Sequence, residues 1–151
     1  MSTTENKEIV RNYIIAYSDM SGASSQPMLA EDAQIHLMSR NESLPLPKVM
    51  GKYEYLALFP AMASLLPNGI RHEVRSMIAE GDFVAVETEC FGPLANGRSY
   101  NNLFHFLIEV RDGKIVLIHE YLDFLHTKEA LFDSPPQGAA KTASPTVVAA
   151  I

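Results

Sequence analysis

The sequence predicts an α+β domain, in which helices near the amino terminus pack against an antiparallel sheet formed by the second half of the chain. Apolar residues recur at helical spacing in the first third, whereas apolar and polar residues alternate through much of the second half. Short turn signals divide that second half into four segments of strand length. At 151 residues the chain suits one domain, expected over residues 1–132, followed by a flexible carboxy-terminal tail over residues 133–151 that is rich in small and polar residues.

The first half of the chain is predicted to contain two helical segments with a short strand between them. Apolar residues fall on one helical face from Glu5 to about Asp19, and both Tyr13 and Tyr17 lie on that face. A second helical pattern runs through KYEYLALFPAMASLLP, where Pro60 is expected to kink or restart the helix. Between them AQIHLM alternates like a strand, and the prolines of RNESLPLPKVMG indicate a loop.

Four strands are expected in IRHEVRSMIA, FVAVETECFG, SYNNLFHFLIEV and KIVLIHEYLDF. Two-residue turns at Gly81 and Asp82 and at Asn96 and Gly97, and a three-residue loop RDG, would fix which residues lie opposite each other. The inner face would then carry Ile78, Phe83, Ala85, Phe104, Phe106, Ile108, Ile118 and Leu122, interrupted by His72, Glu87, Glu89, Asn102 and Glu120.

Glu120 is the one carboxylate in an apolar alternation formed by Val116, Ile118, Leu122 and Phe124. An unpaired charge on an apolar face is costly, or it takes up a proton. In the expected register Glu89 and Glu120 flank Phe104, so each carboxylate raises the pKa of the other and the pair suits proton transfer at neutral pH. In the alternative interpretation Glu87 and Glu89 lie at the rim and Glu120 is hydrogen-bonded to a tyrosine.

The opposite face of the expected sheet is too apolar to be left wholly to water. We therefore predict a homodimer through this outer face. Its expected residues are Val84, Val86, Thr88, Cys90, Leu103, His105, Leu107, Leu117, His119 and Tyr121.

Composition excludes several classes of partner and compartment. The net charge of −6 comes without long runs of one sign, which disfavours nucleic acid and membrane surfaces and leaves a small neutral or cationic ligand. The single cysteine, Cys90, excludes an intrachain disulfide and a Cys-rich zinc site. The amino terminus has no apolar signal segment, so the cytoplasm is the expected compartment. We expect no metal, because no two of the histidines His36, His105, His119 and His126 are expected on one face at ligand spacing with a third donor.

The order of elements, ending in DGKIVLIHEYLDF, resembles the SnoaL-like and ketosteroid-isomerase-like branch of the nuclear transport factor 2-like superfamily over about residues 5 to 132. GRSYNNLFHFLIEVRDGKI followed by HEYLDF also resembles limonene epoxide hydrolase. The resemblance implies a cone-shaped barrel in which a curved antiparallel sheet and the amino-terminal helices enclose a pocket. It also implies that Glu120 stands at the position of the catalytic acid/base of the cyclases and hydrolases.

The chain departs from each subfamily's pattern. Glu87 and Glu89 stand where the epoxide hydrolases need an Arg and an Asp, and Ile35 and Leu37 replace their water-positioning Tyr and Asn. The ketosteroid isomerases' aspartate on the first strand is absent, although Tyr13 falls close to their oxyanion tyrosine. A histidine of the polyketide cyclases matches His105 only if the register slips by one residue.

Several candidates keep two interpretations. Tyr13 and Tyr17 are core aromatics or oxyanion donors, and His72 is a base at the pocket rim or a capped residue at a strand start. Asn102 either fixes a ligand carbonyl or satisfies Glu120. The candidate catalytic residues are Glu120 and Glu89, and the candidate ligand-binding residues are Tyr13, Tyr17, Phe59, Met62, His72, Glu87, Phe91, Asn102, Phe104 and Leu122.

Two functions from different classes follow from these residues. The first is a cofactor-independent enzyme of isomerase or cyclase type that acts on a small apolar carbonyl or cyclic substrate by general acid/base catalysis. The second is a non-catalytic binder, in which the same pocket holds a steroid, terpenoid, polyketide or fatty ligand and the acids serve as hydrogen-bond anchors.

Overall fold

The computed structural model of the chain describes residues 1–133, in which helices cover one face of a six-stranded sheet. The tail expected over residues 133–151 lies outside the described residues except for Asp133, so it stays a prediction. The elements in chain order are α1 (Thr3–Tyr17), β1 (Leu29–Leu37), β2 (Val49–Gly51), α2 (Lys52–Leu56), α3 (Phe59–Leu65), β3 (Arg71–Glu80), β4 (Phe83–Pro93), β5 (Ser99–Arg111), β6 (Lys114–Leu122) and α4 (Phe124–Thr127), preceded by a 3₁₀ turn at Gln26–Met28 before β1 and followed by a π-turn at Lys128–Phe132.

A capping box starts α1 two residues before the expected position. The Ser2 side chain accepts a hydrogen bond from the Glu5 amide, and Glu5 Oε2 accepts one from the Ser2 amide at 2.7 Å. The buried stripe of the helix contains Val10, Tyr13 and Ile14, as its spacing indicates. The second helical segment is interrupted as expected, because α2 ends at Leu56 and α3 restarts at Phe59 beside Pro60.

The sheet has the strand order β2-β1-β6-β5-β4-β3 and is curved and open. Strands β3 to β6 form the expected antiparallel meander, whereas β1 runs parallel to β6. The sheet is therefore mixed. Parallel neighbours cannot be joined by a tight turn, and the chain between β1 and β6 includes α2 and α3. Bulges in β3 and β6 bend it, and with the helices on its inner face it has the expected cone-shaped α+β architecture.

The expected register between β4 and β5 is wrong by one residue. Pro93 pairs with Ser99, so five residues, not two, connect the strands. Leu94 is buried and the amide of Ala95 donates to the carbonyl of Leu65, which ties the longer loop to α3. A shift of one residue turns every side chain of β4 to the opposite face.

The expected register between β5 and β6 is wrong by two residues, which leaves the faces unchanged. Arg111 pairs with Lys114 around a two-residue turn, and a bulge at Val116 of β6 places Phe106 opposite Glu120. Glu120 therefore remains on the inner face. The turn at Gly81 and Asp82 has the expected length, but a bulge beside Arg75 sets His72 opposite Cys90.

These registers correct the expected faces. Ile78, Phe83 and Ala85 lie on the outer face, where Ile78 is 72% exposed, instead of in the core. Conversely, four residues of β4 expected outside are buried in the core: Val84, Val86, Thr88 and Cys90. The outer residues expected on β5 and β6 are placed correctly, since Leu103 and Tyr121 are exposed. Among residues 1–133, no helix has the length and apolar character needed to cross a bilayer.

Candidate functional site

A cavity with two lobes lies between the inner face of the sheet and the helices. The sheet lobe, lined by Phe104 and Leu122, and the helix lobe, lined by Tyr55 and Phe59, each have a cavity volume of about 70 Å³. Most of the lining residues are apolar, which is typical of a site for a small organic ligand. The residues that border both lobes, and therefore lie where the lobes meet, are Tyr17, Met20, Leu37, Leu46, Met62 and Glu120.

Glu120 is the acidic group of this cavity. It lies on β6 with 4% of its surface exposed, and its Oε1 accepts a hydrogen bond from the Tyr55 hydroxyl at 3.2 Å. Burial raises the pKa of Glu120 to about 7, although the hydrogen bond from Tyr55 lowers it in part. Both the acid and the carboxylate are therefore well populated at neutral pH, which is the condition for general acid/base chemistry.

Three tyrosines surround the carboxyl group of Glu120. The Tyr13 and Tyr55 hydroxyls are 3.3 Å apart, so Tyr13 supports the donor to Glu120 from behind. The Tyr17 hydroxyl has no hydrogen-bond partner within residues 1–133, and Tyr17 borders both lobes. Burial and then the charge of Glu120 raise the pKa of Tyr17 well above its ordinary value, so Tyr17 is a neutral donor.

His72 is half-buried on β3 and lines neither lobe. Its Nδ1 lies 2.9 Å from Thr88 Oγ1, and its ring packs 5.4 Å from Tyr17 and 5.2 Å from Phe104. Its Nε2 is buried without a hydrogen-bond partner. Burial lowers the pKa of His72 to about 4, so the imidazole is neutral at neutral pH. Because His72 lines neither lobe and its low pKa makes it a weak base, it is not the base expected at the pocket rim.

Asn102 joins the sheet to α4 and contacts neither the cavity nor Glu120. Its Nδ2 lies 2.9 Å from both the Tyr100 hydroxyl and Thr127 Oγ1 and 3.1 Å from the carbonyl oxygen of Asp123. Both interpretations of Asn102 are therefore wrong. Its neighbours Tyr100 and Thr127 line the sheet lobe, so Asn102 fixes part of that wall.

The expected pair of Glu89 with Glu120 is wrong, because the β4 register turns Glu89 outward. Glu89 is ion-paired with Arg75 and accepts a hydrogen bond from Asn101 at 3.0 Å. The hydrogen bond from Asn101 lowers the pKa of Glu89 most, and the contact with Arg75 lowers it further. Glu87 and Phe91 share this outer face: Glu87 accepts a bond from Ser76, and Phe91 is 48% exposed. Burial, without a second carboxylate, raises the pKa of Glu120.

Six of the candidate residues line the cavity: Glu120, Tyr17, Phe59, Met62, Phe104 and Leu122. Tyr13 and Asn102 are buried beside it, and His72 is half-buried there. Glu120 is hydrogen-bonded to a tyrosine, as the alternative interpretation expects, but sequence reasoning did not identify Tyr55 as that donor. Its only signal is the helical spacing with Phe59 in YLALF, which predicts a buried face but not a partner 65 residues away.

The histidines do not assemble into a site with other metal ligands. Within residues 1–133, no three His, Cys, Asp or Glu side chains are arranged to hold a metal ion. Two of the histidines nevertheless lie side by side on one face. His36 and His119 pair across β1 and β6, with ring centroids 5.0 Å apart on the outer face.

Comparison with solved structures identifies the fold. A nuclear transport factor 2-like protein of unknown function from Burkholderia pseudomallei has a TM-score of 0.73 at 19% identity, over 87% of this chain and 99% of that chain. A proposed isomerase from Bacillus subtilis has a TM-score of 0.72 at 24% identity, over 89% and 98%. A proposed SnoaL-like polyketide cyclase from Jannaschia has a TM-score of 0.67 at 17% identity, over 88% and 95%.

Comparison with sequences identifies the family. No curated protein matches the chain significantly. The family model described as a SnoaL-like domain matches residues 10–118, which is more than half of the chain. The match begins within α1, includes β1 to β5 and ends within β6, two residues before Glu120. This chain therefore belongs to the SnoaL-like domain family.

Proposed function

We propose that this chain is a cofactor-independent enzyme of isomerase or cyclase type, which uses Glu120 as general acid/base on a small, neutral, apolar carbonyl or cyclic substrate. The observation that carries the proposal is the buried Glu120 carboxyl group, whose pKa is about 7, at the meeting point of two apolar lobes. A base whose pKa lies near the working pH combines a populated carboxylate with useful basicity.

The proposed chemistry moves one proton. The Glu120 carboxylate takes a proton from a carbon next to the substrate carbonyl, and the electron pair of the broken C–H bond forms an enolate. Tyr17, with a neutral and unpartnered hydroxyl, donates a hydrogen bond to the enolate oxygen. In a ketone with a β,γ double bond, return of the proton to the γ-carbon isomerises the substrate. In a substrate with a second carbonyl, attack of the enolate carbon on that carbonyl closes a ring, and the alkoxide that forms takes the proton back from Glu120.

The hydrogen bond from Tyr55 supports this role of Glu120. It holds one carboxyl oxygen, Oε1, and leaves Oε2 without a protein partner within residues 1–133. It also moderates the rise in pKa that burial causes. The names of the structural neighbours, a proposed isomerase and a proposed polyketide cyclase, are consistent with proton-transfer chemistry in this fold.

Exchange of carbon-bound hydrogen tests the proposal without knowledge of the natural substrate. Phenylacetone in D2O exchanges the hydrogens beside its carbonyl through an enolate, and NMR follows the loss of their signals. We expect the protein to accelerate this exchange, with a rate that rises with pH and levels off above about 7. Glu120→Gln should abolish the acceleration, and the outer-face control Glu89→Gln should keep it.

The alternative is a non-catalytic binder of an apolar ligand. It is favoured by the position of Glu89, because within the described residues no second carboxylate faces the cavity to assist Glu120. In that case, phenylacetone or a larger ketone should bind without exchange dependent on Glu120. Mass spectrometry of the denatured protein would then identify any apolar molecule that copurifies.

A further inference from the structure

Beyond the residues that they share, the two lobes are lined by different parts of the fold. The sheet lobe has Phe104, Leu122 and Phe124 of its own, and the helix lobe has Tyr55, Leu58 and Phe59. Glu120 and Tyr17 border both lobes. A ligand atom that contacts Glu120 therefore has apolar space on two sides rather than on one.

Both lobes are apolar at their far ends. The helix lobe has one hydroxyl of its own, that of Tyr55, which is already committed to Glu120. The sheet lobe has the hydroxyls of Tyr100 and Thr127, which are hydrogen-bonded to each other at 2.9 Å. A polar group at either end of a ligand would lose its hydrogen bonds to water without finding a free partner there.

The charge of the cavity excludes anionic ligands. Within residues 1–133, neither lobe is lined by Lys, Arg or His, and Glu120 is the acidic residue in both. A carboxylate or phosphate on the ligand would be buried without a cation and beside a group that ionises near neutral pH. The reacting molecule is therefore not an anion, and the apolar lining of both lobes favours a neutral molecule over a cation.

We infer that the ligand is a neutral ketone with an apolar arm on each side of its carbonyl group. The carbonyl and the neighbouring C–H bond lie at Tyr17 and Glu120, and the arms occupy the sheet lobe and the helix lobe. The aromatic lining of both lobes, including Phe104 and Phe59, suits arms that carry rings. This inference rests on the proposed function, and it specifies the substrate class of the same site.

Two ketones that differ by one arm test the inference. 1,3-Diphenylacetone carries a benzyl group on both sides of its carbonyl, whereas phenylacetone carries one benzyl and one methyl group. Hydrogen exchange of both in D2O is divided by the rate without protein, which removes the difference in intrinsic acidity. We expect kcat/KM for the two-armed ketone to exceed that for the one-armed ketone by about tenfold or more, because the second ring fills the second lobe.

Filling one lobe at a time provides the matched variants. Leu58→Trp fills the helix lobe and Leu44→Trp the sheet lobe, and each should lower kcat/KM for 1,3-diphenylacetone by about tenfold. Phenylacetone still has one open lobe in either variant, so its kcat/KM should fall by a smaller factor than that of 1,3-diphenylacetone, and equal factors would contradict two separate arm sites. Leu103→Trp, on the outer face where Leu103 is 65% exposed, is the control for a new tryptophan. Urea unfolding checks that each variant is folded.

The outcomes separate the inference from the proposed function. Equal kcat/KM for the two ketones in the unsubstituted protein overturns the inference, while exchange dependent on Glu120 still supports the function. No exchange of either ketone overturns the function. Binding, measured by NMR titration, then decides the inference. Tighter binding of 1,3-diphenylacetone than of phenylacetone, lost when either lobe is filled by tryptophan, supports a two-armed ligand. Equal binding of both ketones overturns the inference.

Discussion

Glu120 changes both the stability and the chemistry of the protein. Its pKa is about 7 in the folded chain and 4.5 in an ordinary solvated glutamate. Between these pH values the folded chain binds more protons than the unfolded chain, so the free energy of unfolding falls as pH rises. Above pH 7 the ionised carboxylate costs about 3 kcal/mol relative to the neutral acid.

Glu120→Gln should remove this pH-dependent loss of stability. The amide is neutral at every pH and its oxygen can accept the hydrogen bond from Tyr55. Urea unfolding at pH 5 and at pH 8 should show a variant close to the unsubstituted protein at the lower pH and more stable by up to about 3 kcal/mol at the higher pH. Activity should be lost at both.

Glu89→Gln is the control for that comparison, with the opposite sign. The pKa of Glu89 is lowered by Asn101 and Arg75, so the folded state favours its ionised form. The Glu89→Gln variant should therefore gain no stability over the unsubstituted protein as pH rises, because the substitution removes favourable contacts of the carboxylate. A Glu120→Gln variant whose advantage is the same at pH 5 and pH 8 would show that Glu120 titrates normally in the fold.

The hydroxyl of Tyr55 should tune the titration of Glu120. Tyr55→Phe removes a hydrogen bond that favours the carboxylate, so the pKa of Glu120 should rise further above 7. Tyr13→Phe removes only the contact behind Tyr55 and should shift the pKa of Glu120 less. Carboxyl titration by NMR measures both shifts, and equal shifts would contradict a direct role of Tyr55.

At the scale of elements, the end of β4 packs against the segment that follows α3. A Cβ at Gly92 would lie 2.7 Å from the carbonyl oxygen of Gly69 and 2.8 Å from Ile70 Cγ2, so only glycine fits. Ile70 lines the sheet lobe, and its amide donates to the carbonyl of Ser18 at 2.9 Å. This contact therefore joins β4, β3 and the end of α1 at the cavity wall.

Gly92→Ala should destabilise the protein by about 2 kcal/mol or more, because backbone atoms must move to admit the methyl group. Gly51→Ala is the matched control: its φ of −77° suits any residue, and its nearest neighbour, a Glu54 oxygen, is 3.8 Å away. That control should cost less than about 1 kcal/mol. Thermal unfolding of both variants measures the difference, and equal losses would contradict the close approach.

At the scale of the molecule, we propose that the outer face of the sheet pairs with a second copy of the chain. Leu103 and Tyr121 are exposed there at 65% and 42%, beside Phe91 at 48%. Exposed apolar side chains grouped on one sheet face are typical of an interface. Val86, expected on this face from the sequence, is buried in the core and cannot report on it.

Leu103→Glu should convert a dimer to monomer, because it places a charge at the centre of the proposed interface. Ile15→Glu on α1 is the matched control, since Ile15 is equally exposed at 66% but lies away from the sheet. Sedimentation at micromolar concentration should show a smaller mass for the first variant alone. An unchanged mass in Leu103→Glu would remove this face as the interface.

The sequence by itself determined the fold class, the place of Glu120 and the order of the longer elements, but not β2, which lies in the predicted loop RNESLPLPKVMG, or α4. Helical and alternating periods are local, so they predict α1, the interrupted second helix and four strands without knowledge of their partners. Glu120 stays on the inner face even though the β5 to β6 register is wrong, because a shift of two residues preserves the face of every side chain.

Only the tertiary structure decided what surrounds that carboxyl group. β4 has apolar residues on both alternations, so its face depends on a five-residue connection held by Leu65 and the buried Leu94, contacts distant in sequence. That connection removes Glu89 from the site, and the docking of α2 brings Tyr55 to Glu120 across 65 positions of the chain. Periodicity specifies which face a side chain occupies within its own element, whereas the partners on that face are set by packing between elements.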